Sequence, residues 1–307
     1  MADNLLNVKI FHHRGVSENG TPLVFRALIL CVLAATLLGG CAQPPVRLAS
    51  YNIQYDAVGD SVAAWAVRRD IVRNLLDSCG FDIFGSQEPM TYQVEDIVEM
   101  CPQYAWIGES TDSVADPSKR HHNPVFYRRD RFTVLDSGAF WYADTPERRY
   151  SRGWDSGYIR MCNWVKFRDR RSGKVFFVFN SHFDHIGREA PLRSAEMLPS
   201  RVRAIAGNAP AFCLGDYNAD QHSEVYRIIV DSGVLEDSYV RAPERTGDGY
   251  PSYTAYRHIT EAVEDARRID CIFVTAPVRV LRWTLVRYHE EGRYGSDHLP
   301  VCIDAVW

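Results

Sequence analysis

The sequence predicts an α/β (α+β) fold, a four-layered sandwich of two mainly antiparallel β-sheets flanked by helices. Three observations predict it. Apolar runs of strand length outnumber helical segments, hairpin-like neighbours mix with helical crossovers, and no repeat or low-complexity tract interrupts the chain after residue 40. Sheets that each have one apolar face bury it by packing against each other.

The individual elements follow from the period of the apolar residues. In residues 162–167 apolar and polar side chains alternate, which indicates a strand with one buried face. The predicted order is strand 47–53, helix 64–78, strand 82–86, helix 91–100, strands 104–107, 124–127, 132–141, 160–168 and 174–180, helix 191–205, strand 211–214, helix 223–231, and strands 269–274, 278–287 and 300–306.

Six short polar clusters abut these strands. Four follow a strand and two precede one, and in an antiparallel sheet the end of one strand and the start of its neighbour share an edge. We therefore expect the clusters to meet at one rim. They are Ser-Tyr-Asn at 50–52, Gln-Glu at 87–88, Asn-Ser-His-Phe-Asp at 180–184, Gly-Asp-Tyr-Asn at 215–218, Arg-Ile-Asp at 268–270 and Ser-Asp-His at 296–298.

The composition of these clusters is that of a metal site for phosphate hydrolysis. Mg²⁺ and Mn²⁺ prefer oxygen ligands, keep several waters and need only one or two carboxylates in addition to a substrate phosphate. Glu88 is the first choice of ligand, and Asn52 could supply an amide oxygen beside it. On its own, Gln-Glu is more often a surface carboxylate, and it is the company of the other clusters that favours a metal ligand.

The other clusters contain groups for proton transfer and charge stabilisation. His298 is suited to take a proton from water, with Asp270 fixing the ring from its other nitrogen; a strand-capping role for this histidine is the open alternative. Asp216 and Asn218 lie two residues apart, on one side of an extended chain, where they are suited to hold water and a phosphoryl oxygen. His182 is suited to donate a hydrogen bond to charge that develops on the phosphoryl group.

With these residues in view, the chain resembles the endonuclease/exonuclease/phosphatase superfamily, whose fold is that of pancreatic deoxyribonuclease. The resemblance runs from about residue 46 to residue 303 and includes the order and spacing of all six clusters and of Val-Phe-Tyr-Arg at 125–128. A bacterial, exported lipoprotein subgroup is the most similar part of the superfamily.

The resemblance implies a two-sheet sandwich and a magnesium-dependent phosphoesterase, in which Mn²⁺ can substitute. It implies Asn52 and Glu88 on the metal, with Asp297 as a supporting carboxylate. The resemblance also implies that Asp216 and Asn218 bind the nucleophilic water and the phosphate and that His182 contacts the phosphate. It implies that His298 is the base and that Asp270 orients it.

Three further residues are predicted to bind substrate. Arg160 ends a segment similar to the exported subgroup, Arg193 lies at a predicted helix start, and Tyr127 lies in the 125–128 motif. For the two arginines an exposed position without a role remains open. Gln54 replaces the acidic residue of the apurinic-site nucleases, and a histidine-centred motif at 182 replaces their tyrosine-centred one, which disfavours repair of abasic DNA.

The N-terminal region predicts export. Residues 27–38 are apolar apart from Thr36, and the following Gly-Gly-Cys resembles a lipobox that ends at Cys41. We expect residues 1–40 to be an extension and lipoprotein signal, with translation starting near Val24, residues 41–45 to be a tether, and residues 46–307 to be one domain. The alternative is a buried apolar helix. Lipidation of Cys41 would anchor the protein in the bacterial envelope, at the outer membrane.

Charge narrows the expected partners. Removal of residues 1–40, which carry three basic and two acidic residues, changes the formal net charge from −4 to −5. That balance disfavours a stable nucleic-acid complex, which needs neutralised phosphates. We expect a monomer acting on a small-molecule, sugar-phosphate or lipid-head-group ester. A secreted nuclease and a catalytically silent binding lipoprotein remain as alternatives.

Overall fold

Two mixed β-sheets pack face to face with helices outside them, in a computed structural model that describes residues 44–307. The predicted fold class is confirmed. In spatial order, the first sheet contains β10 (Glu244–Thr246), β12 (Arg279–Leu285), β13 (Val301–Val306), β1 (Val46–Asn52), β2 (Ile83–Gln87), β4 (Val125–Arg128) and β3 (Tyr104–Ile107). The second contains β5 (Phe132–Trp141), β6 (Met161–Asp169), β7 (Val175–His182), β8 (Ala211–Asp216), β11 (Asp270–Val274) and β9 (Glu236–Asp237).

The helices follow the strands closely in sequence. They are α1 (Trp65–Cys79), α2 (Thr91–Met100), α3 (Glu189–Ala206), α4 (Glu224–Val230) and α5 (Ser238–Arg241), with a 3₁₀ turn at Pro117–Lys119. Most strand pairs are antiparallel, but β1 with β2, β7 with β8 and β10 with β12 are parallel. The first two of these pairs are joined through a crossover helix, α1 or α3, because parallel neighbours need a long connection.

The core lies between the sheets. Leu48 and Ile83 of the first sheet and Val178 and Phe212 of the second belong to one fully buried cluster. Burial of each such side chain contributes roughly 1.5–3 kcal/mol. Smaller clusters join α1 and α2 to the outer face of the first sheet, and α3 and α4 to that of the second, which gives the four layers.

The ends of two strands differ from the prediction in a way that matters for the site. β7 and β8 each continue two residues beyond their predicted ends, because His182 and Asp216 pair in register. The short elements β9, α5 and β10 were not predicted. These elements are two to four residues long, which is too short to show an apolar period in the sequence. Asp237 stabilises this region by accepting hydrogen bonds from the Tyr239 amide and from Arg268.

No helix in residues 44–307 is long and apolar enough to cross a membrane. Within the same residues all six cysteines are free, and five of them are buried. The predicted signal segment, Val24 and Cys41 lie outside the described residues, so their roles stay predictions.

Candidate active site

The strand ends of both sheets bring the polar clusters together. Asp216 pairs in register with His182 on one side and with Asp270 on the other. The first sheet presents Asn52 at the end of β1 and Glu88 directly after β2, while His298 precedes β13. Asn52, His182, Asp216, Asp270 and His298 are all buried, and Glu88 is half-buried.

Asn52 joins the two sheets at the centre of this cluster. Its Nδ2 donates to Oε1 of Glu88 at 3.0 Å and to Oδ2 of Asp216 at 2.9 Å. Its Oδ1 accepts from the Gln54 amide at 2.9 Å, which fixes the orientation of the side chain. The amide oxygen that we expected beside Glu88 therefore points to the backbone, and the amide nitrogen holds the two carboxylates.

The cluster has two groups of side chains that could hold a metal ion. Ligand atoms of Glu88, His182 and Asp216 lie within 4.8 Å of one another, and so do those of Asp216, Asp270 and His298. Carboxylate oxygens are the donors that Mg²⁺ and Mn²⁺ prefer. The side chains present thus fit a hard divalent cation.

His298 and Asp270 form a hydrogen-bonded pair. Nδ1 of His298 lies 2.8 Å from Oδ2 of Asp270, and Nε2 lies 3.7 Å from Oδ2 of Asp216. Burial alone would lower the pKa of His298, but Asp270 and Asp216 outweigh it and raise the pKa to about 10. Burial raises the pKa of Asp216, while His298 opposes that rise. In this arrangement the imidazole holds a proton between two carboxylates.

His182 has the opposite electrostatic surroundings. Its Nδ1 lies 2.8 Å from Nη1 of Arg160, and its Nε2 lies 3.5 Å from Oδ2 of Asp216. Burial lowers the pKa of His182, and the nearby guanidinium lowers it further. The neutral imidazole is therefore the stable form. Asn218, at a φ of 50°, places Nδ2 3.0 Å from the Phe183 carbonyl oxygen and 3.1 Å from Nε2 of His182.

The sequence of this site is that of a known family. The model of the endonuclease/exonuclease/phosphatase family matches residues 49–298, a range that includes every residue of the cluster. The chain belongs to this family. Because the family and the relatives described next include phosphatases and nucleases, this member is a phosphoester hydrolase.

Three relatives place it within the family. The solved structure of mannosyl-6-phosphatase from Bacteroides thetaiotaomicron is 33% identical with a TM-score of 0.77, and the match covers 85% of this chain and 100% of that one. A Thioalkalivibrio deoxyribonuclease is 23% identical over 291 residues, covering 89% of this chain and 74% of its own. An uncharacterised protein of Acanthamoeba polyphaga mimivirus is 27% identical over 168 residues, which are 52% of this chain and 61% of that protein. This chain thus matches less than two thirds of the mimivirus relative.

The three predicted substrate-binding residues differ in their positions. Arg160 is buried against His182 and therefore belongs to the cluster. Arg193 is half exposed on α3, where its guanidinium pairs with Glu189 and Glu196. The ring of Tyr127 packs 5.1 Å from that of Phe167, against the core between the sheets. Tyr127 thus packs toward the core, and Arg193 pairs with carboxylates of its own helix; a substrate contact of either residue stays a prediction.

Asp297 lies at the edge of the cluster. Its Oδ2 accepts from Nε2 of Gln54 at 3.1 Å, and 9% of its surface is exposed. Burial raises the pKa of Asp297, and the charge of Glu88 adds to this effect while His298 opposes it. Its supporting role stays a prediction.

Sequence reasoning missed several residues that shape this site. The Tyr253 ring lies 4.9 Å from that of His298, and His185 accepts from Nη2 of Arg160 at 3.2 Å. Arg68, on α1, is buried and donates to the carbonyls of Ile53, Gln54, Tyr55 and Gly295, which fixes the loop after β1. His185 directly follows the 180–184 cluster, and this position could have identified it as a site residue from the sequence. Arg68 and Tyr253 lie far from any cluster in sequence and had none.

Proposed function

We propose that this protein is a Mg²⁺-dependent phosphatase that hydrolyses a sugar phosphate, with water attacking phosphorus. The observation that carries the proposal is the cluster of Glu88, His182, Asp216 and His298 at the meeting edges of the two sheets. It combines oxygen ligands for a hard cation with two histidines of opposite electrostatic surroundings.

The donor set supports the metal. Glu88 and Asp216 would hold Mg²⁺, for which Mn²⁺ can substitute, and Asp297 would support them from the edge of the site. A bound dication neutralises charge on the phosphoryl oxygens and on the carboxylates around it. With those carboxylates neutralised, the pKa of His298 falls toward the range in which imidazole accepts a proton.

The protein groups then divide the remaining work. Asp270 holds the His298 ring so that Nε2 faces Asp216, and His298 takes the proton of the attacking water. Asp216 and Asn218 orient that water and a phosphoryl oxygen. His182 donates a hydrogen bond to the charge that develops on the phosphoryl group. Asn52 keeps the carboxylates of Glu88 and Asp216 together.

A small leaving group is supported by the space beside the cluster. An open cavity of about 290 Å³ is lined by Asn218 and His185, among other residues. Ligand pockets of roughly 300–1,000 Å³ are usual, so this cavity suits a ligand at the small end of that range. The similarity to a mannosyl-6-phosphatase at 33% identity makes a sugar the favoured leaving group.

Nuclease activity is the second candidate. The deoxyribonuclease relative favours it, as do basic residues in loops such as 119–122. The acidic balance of the chain opposes it, because binding to nucleic acid rests on neutralised phosphates. Cleavage of DNA that weakens steeply with salt would distinguish this activity from sugar-phosphate hydrolysis.

We also propose that the protein works as a monomer in the bacterial envelope, anchored by lipid on Cys41 to the outer membrane. The apolar run 27–38 and the Gly-Gly-Cys that follows support this proposal. Incorporation of labelled palmitate that is lost in Cys41→Ser would test it.

The substrate test measures the hydrolysis of several phosphate esters, each with the same set of metal conditions. Full-length protein is assayed with Mg²⁺, Mn²⁺ or EDTA on mannose 6-phosphate, glucose 6-phosphate, an aryl phosphate, a bis-aryl phosphate and DNA. We expect metal-dependent release of phosphate, fastest from a hexose 6-phosphate. Preference for the bis-aryl ester or DNA would replace the phosphatase proposal with the nuclease one.

A further inference from the structure

The two histidines of the cluster have Nδ1 partners of opposite charge. Asp270 lies 2.8 Å from Nδ1 of His298, and Arg160 lies 2.8 Å from Nδ1 of His182. Both histidines present Nε2 to Oδ2 of the same residue, Asp216, at 3.7 and 3.5 Å. The two histidines therefore contact Asp216 in the same way, but the Nδ1 partner of His298 is negatively charged and that of His182 is positively charged.

The arginine contact determines the tautomer of His182. A guanidinium has only hydrogen-bond donors, so Nδ1 must accept and the single ring proton must be on Nε2. The alternative, in which Nε2 accepts from Asn218, would place an N–H of His182 against an N–H of Arg160 at 2.8 Å. Rotation of the Asn218 amide would present its oxygen to Nε2 of His182 at the cost of its 3.0 Å hydrogen bond to the Phe183 carbonyl oxygen, whereas the guanidinium has no acceptor to present in any orientation. The contact with Arg160 therefore prevails.

The same guanidinium contacts a second histidine. Nη2 of Arg160 lies 3.2 Å from Nδ1 of His185, which by the same reasoning carries its proton on Nε2. The Tyr158 ring is stacked 5.6 Å from His185 and lies 5.3 Å from the guanidinium carbon. Arg160 is only 9% exposed, Asp184 lies 3.7 Å from its Nε, and that Nε has no hydrogen-bond partner among the described residues.

We propose that Arg160 is a positioning residue that fixes His182 and His185 as Nε2–H donors, one for the phosphoryl group and one for the leaving group. The inference rests on the proposed phosphatase function. His182 has no free ring nitrogen with which to accept a proton, so proton transfer is left to His298. His185 also lines the cavity beside Asn218, where its Nε2–H can donate to a hydroxyl of the leaving group.

The test reads the tautomer directly. Full-length protein labelled with ¹⁵N in histidine is studied by two-bond ¹H–¹⁵N correlation without substrate, and the His182 and His185 signals are assigned by His182→Asn and His185→Asn. We expect both rings to carry the proton on Nε2 in the wild type. A proton on Nδ1 of His182 in the wild type would overturn the proposal whether or not the protein hydrolyses any ester.

Substitutions of Arg160 add a kinetic reading. Arg160→Met removes the donors, and we expect signals of the Nδ1–H form together with a fall in kcat of about 10²–10³-fold. Lysine also has donors only, so Arg160→Lys should keep Nε2–H on the histidine that it reaches and recover part of kcat. Unchanged tautomers and kcat in folded Arg160→Met would overturn the proposal.

Two control variants separate this role from general effects. Arg131→Met removes a buried arginine that pairs with Asp82 and Asp169, and Arg203→Met removes an exposed one on α3. We expect Arg131→Met to lower Tm and both controls to keep the wild-type histidine tautomers. The same loss of Nε2–H in the folded fraction of Arg131→Met would assign the effect to destabilisation and overturn the proposal. If no ester is hydrolysed but the tautomers respond to Arg160 alone, the phosphatase function fails and the positioning role stands.

Discussion

Oδ2 of Asp270 lies 2.8 Å from Nδ1 of His298, and this contact places Nε2 of the same ring 3.7 Å from Asp216. The carboxylate therefore fixes which nitrogen faces the cluster and stabilises the charged ring. Oδ1 of Asp270 has no hydrogen-bond partner among the described residues. Among the described residues, the hydrogen bond to His298 is thus the one that the Asp270 side chain makes.

Asp270→Asn should reduce both catalysis and stability. Loss of the charge removes the stabilisation of the imidazolium, and we expect kcat to fall by about 10²–10⁴-fold with little change in KM. Because the substitution also removes one partner of a buried ion pair and leaves the charged His298 ring less compensated, Tm should fall, so kcat is measured at a temperature at which the variant is folded. Steady-state kinetics and thermal melts measure the two effects. Wild-type kcat in Asp270→Asn, in an enzyme that His298→Ala inactivates, would contradict the orienting role.

Asn52→Asp should make stability more dependent on metal. The substitution replaces the donor shared by Glu88 and Asp216 with a third carboxylate, so repulsion between like charges should lower Tm in EDTA. Mg²⁺ should then raise Tm by more than it does in the wild type, because cation binding to the folded state offsets that repulsion. Thermal melts with and without Mg²⁺ measure both shifts, and Asn208→Asp on the exposed surface is the matched control. An equal Mg²⁺ response in both variants would argue against a cation site at these carboxylates.

His122 should make the fold sensitive to acid. Burial lowers the pKa of His122 to about 4, from an ordinary value of 6.5. His122 in the unfolded chain therefore binds a proton more readily than His122 in the folded protein. Protonation of the unfolded chain leaves the unfolding free energy unchanged above about pH 6.5 and lowers it as the pH falls toward 4. The shift corresponds to about 3 kcal/mol of unfolding free energy.

His122→Asn should reduce this loss. We expect the unfolding free energy from urea titrations to fall less between pH 7 and pH 4 in the variant than in the wild type. His222→Asn, which removes an exposed histidine, is the control and should retain most of the wild-type loss. Identical pH profiles for His122→Asn and the wild type would contradict the assignment to His122.

Gly85 should be intolerant of a side chain because of Asn180. A Cβ at Gly85 would lie 2.6 Å from Oδ1 of Asn180, whose side chain links the two sheets. That side chain donates to the Ser86 and Pro124 carbonyls and accepts from Gln87. We expect Gly85→Ala to lower the unfolding free energy by about 2–4 kcal/mol, because displaced buried polar groups lose their partners. In an Asn180→Ala background the same change should cost much less; additive losses would contradict this account.

The sequence allowed the fold and much of the site to be predicted for a physical reason. Helix α2 has a clear apolar period, and the observed ends of α2 and β5 agree with those predicted. The polar clusters could be located because they interrupt apolar runs at strand ends. The structure was needed for contacts that carry no local signal: the orientation of Asn52 depends on the Gln54 amide, and the Arg160–His182 contact depends on how β6 and β7 align.

The most direct test of the account measures release of inorganic phosphate from a hexose 6-phosphate by the full-length wild type and by Asp216→Asn. We expect turnover by the wild type that EDTA abolishes and Mg²⁺ restores. Asp216→Asn, checked for folding by circular dichroism, should retain less than about one hundredth of the wild-type kcat, since it loses both a metal ligand and the carboxylate that faces both histidines. Turnover that is independent of metal, or wild-type turnover in Asp216→Asn, would contradict the claim that this cluster hydrolyses phosphate esters.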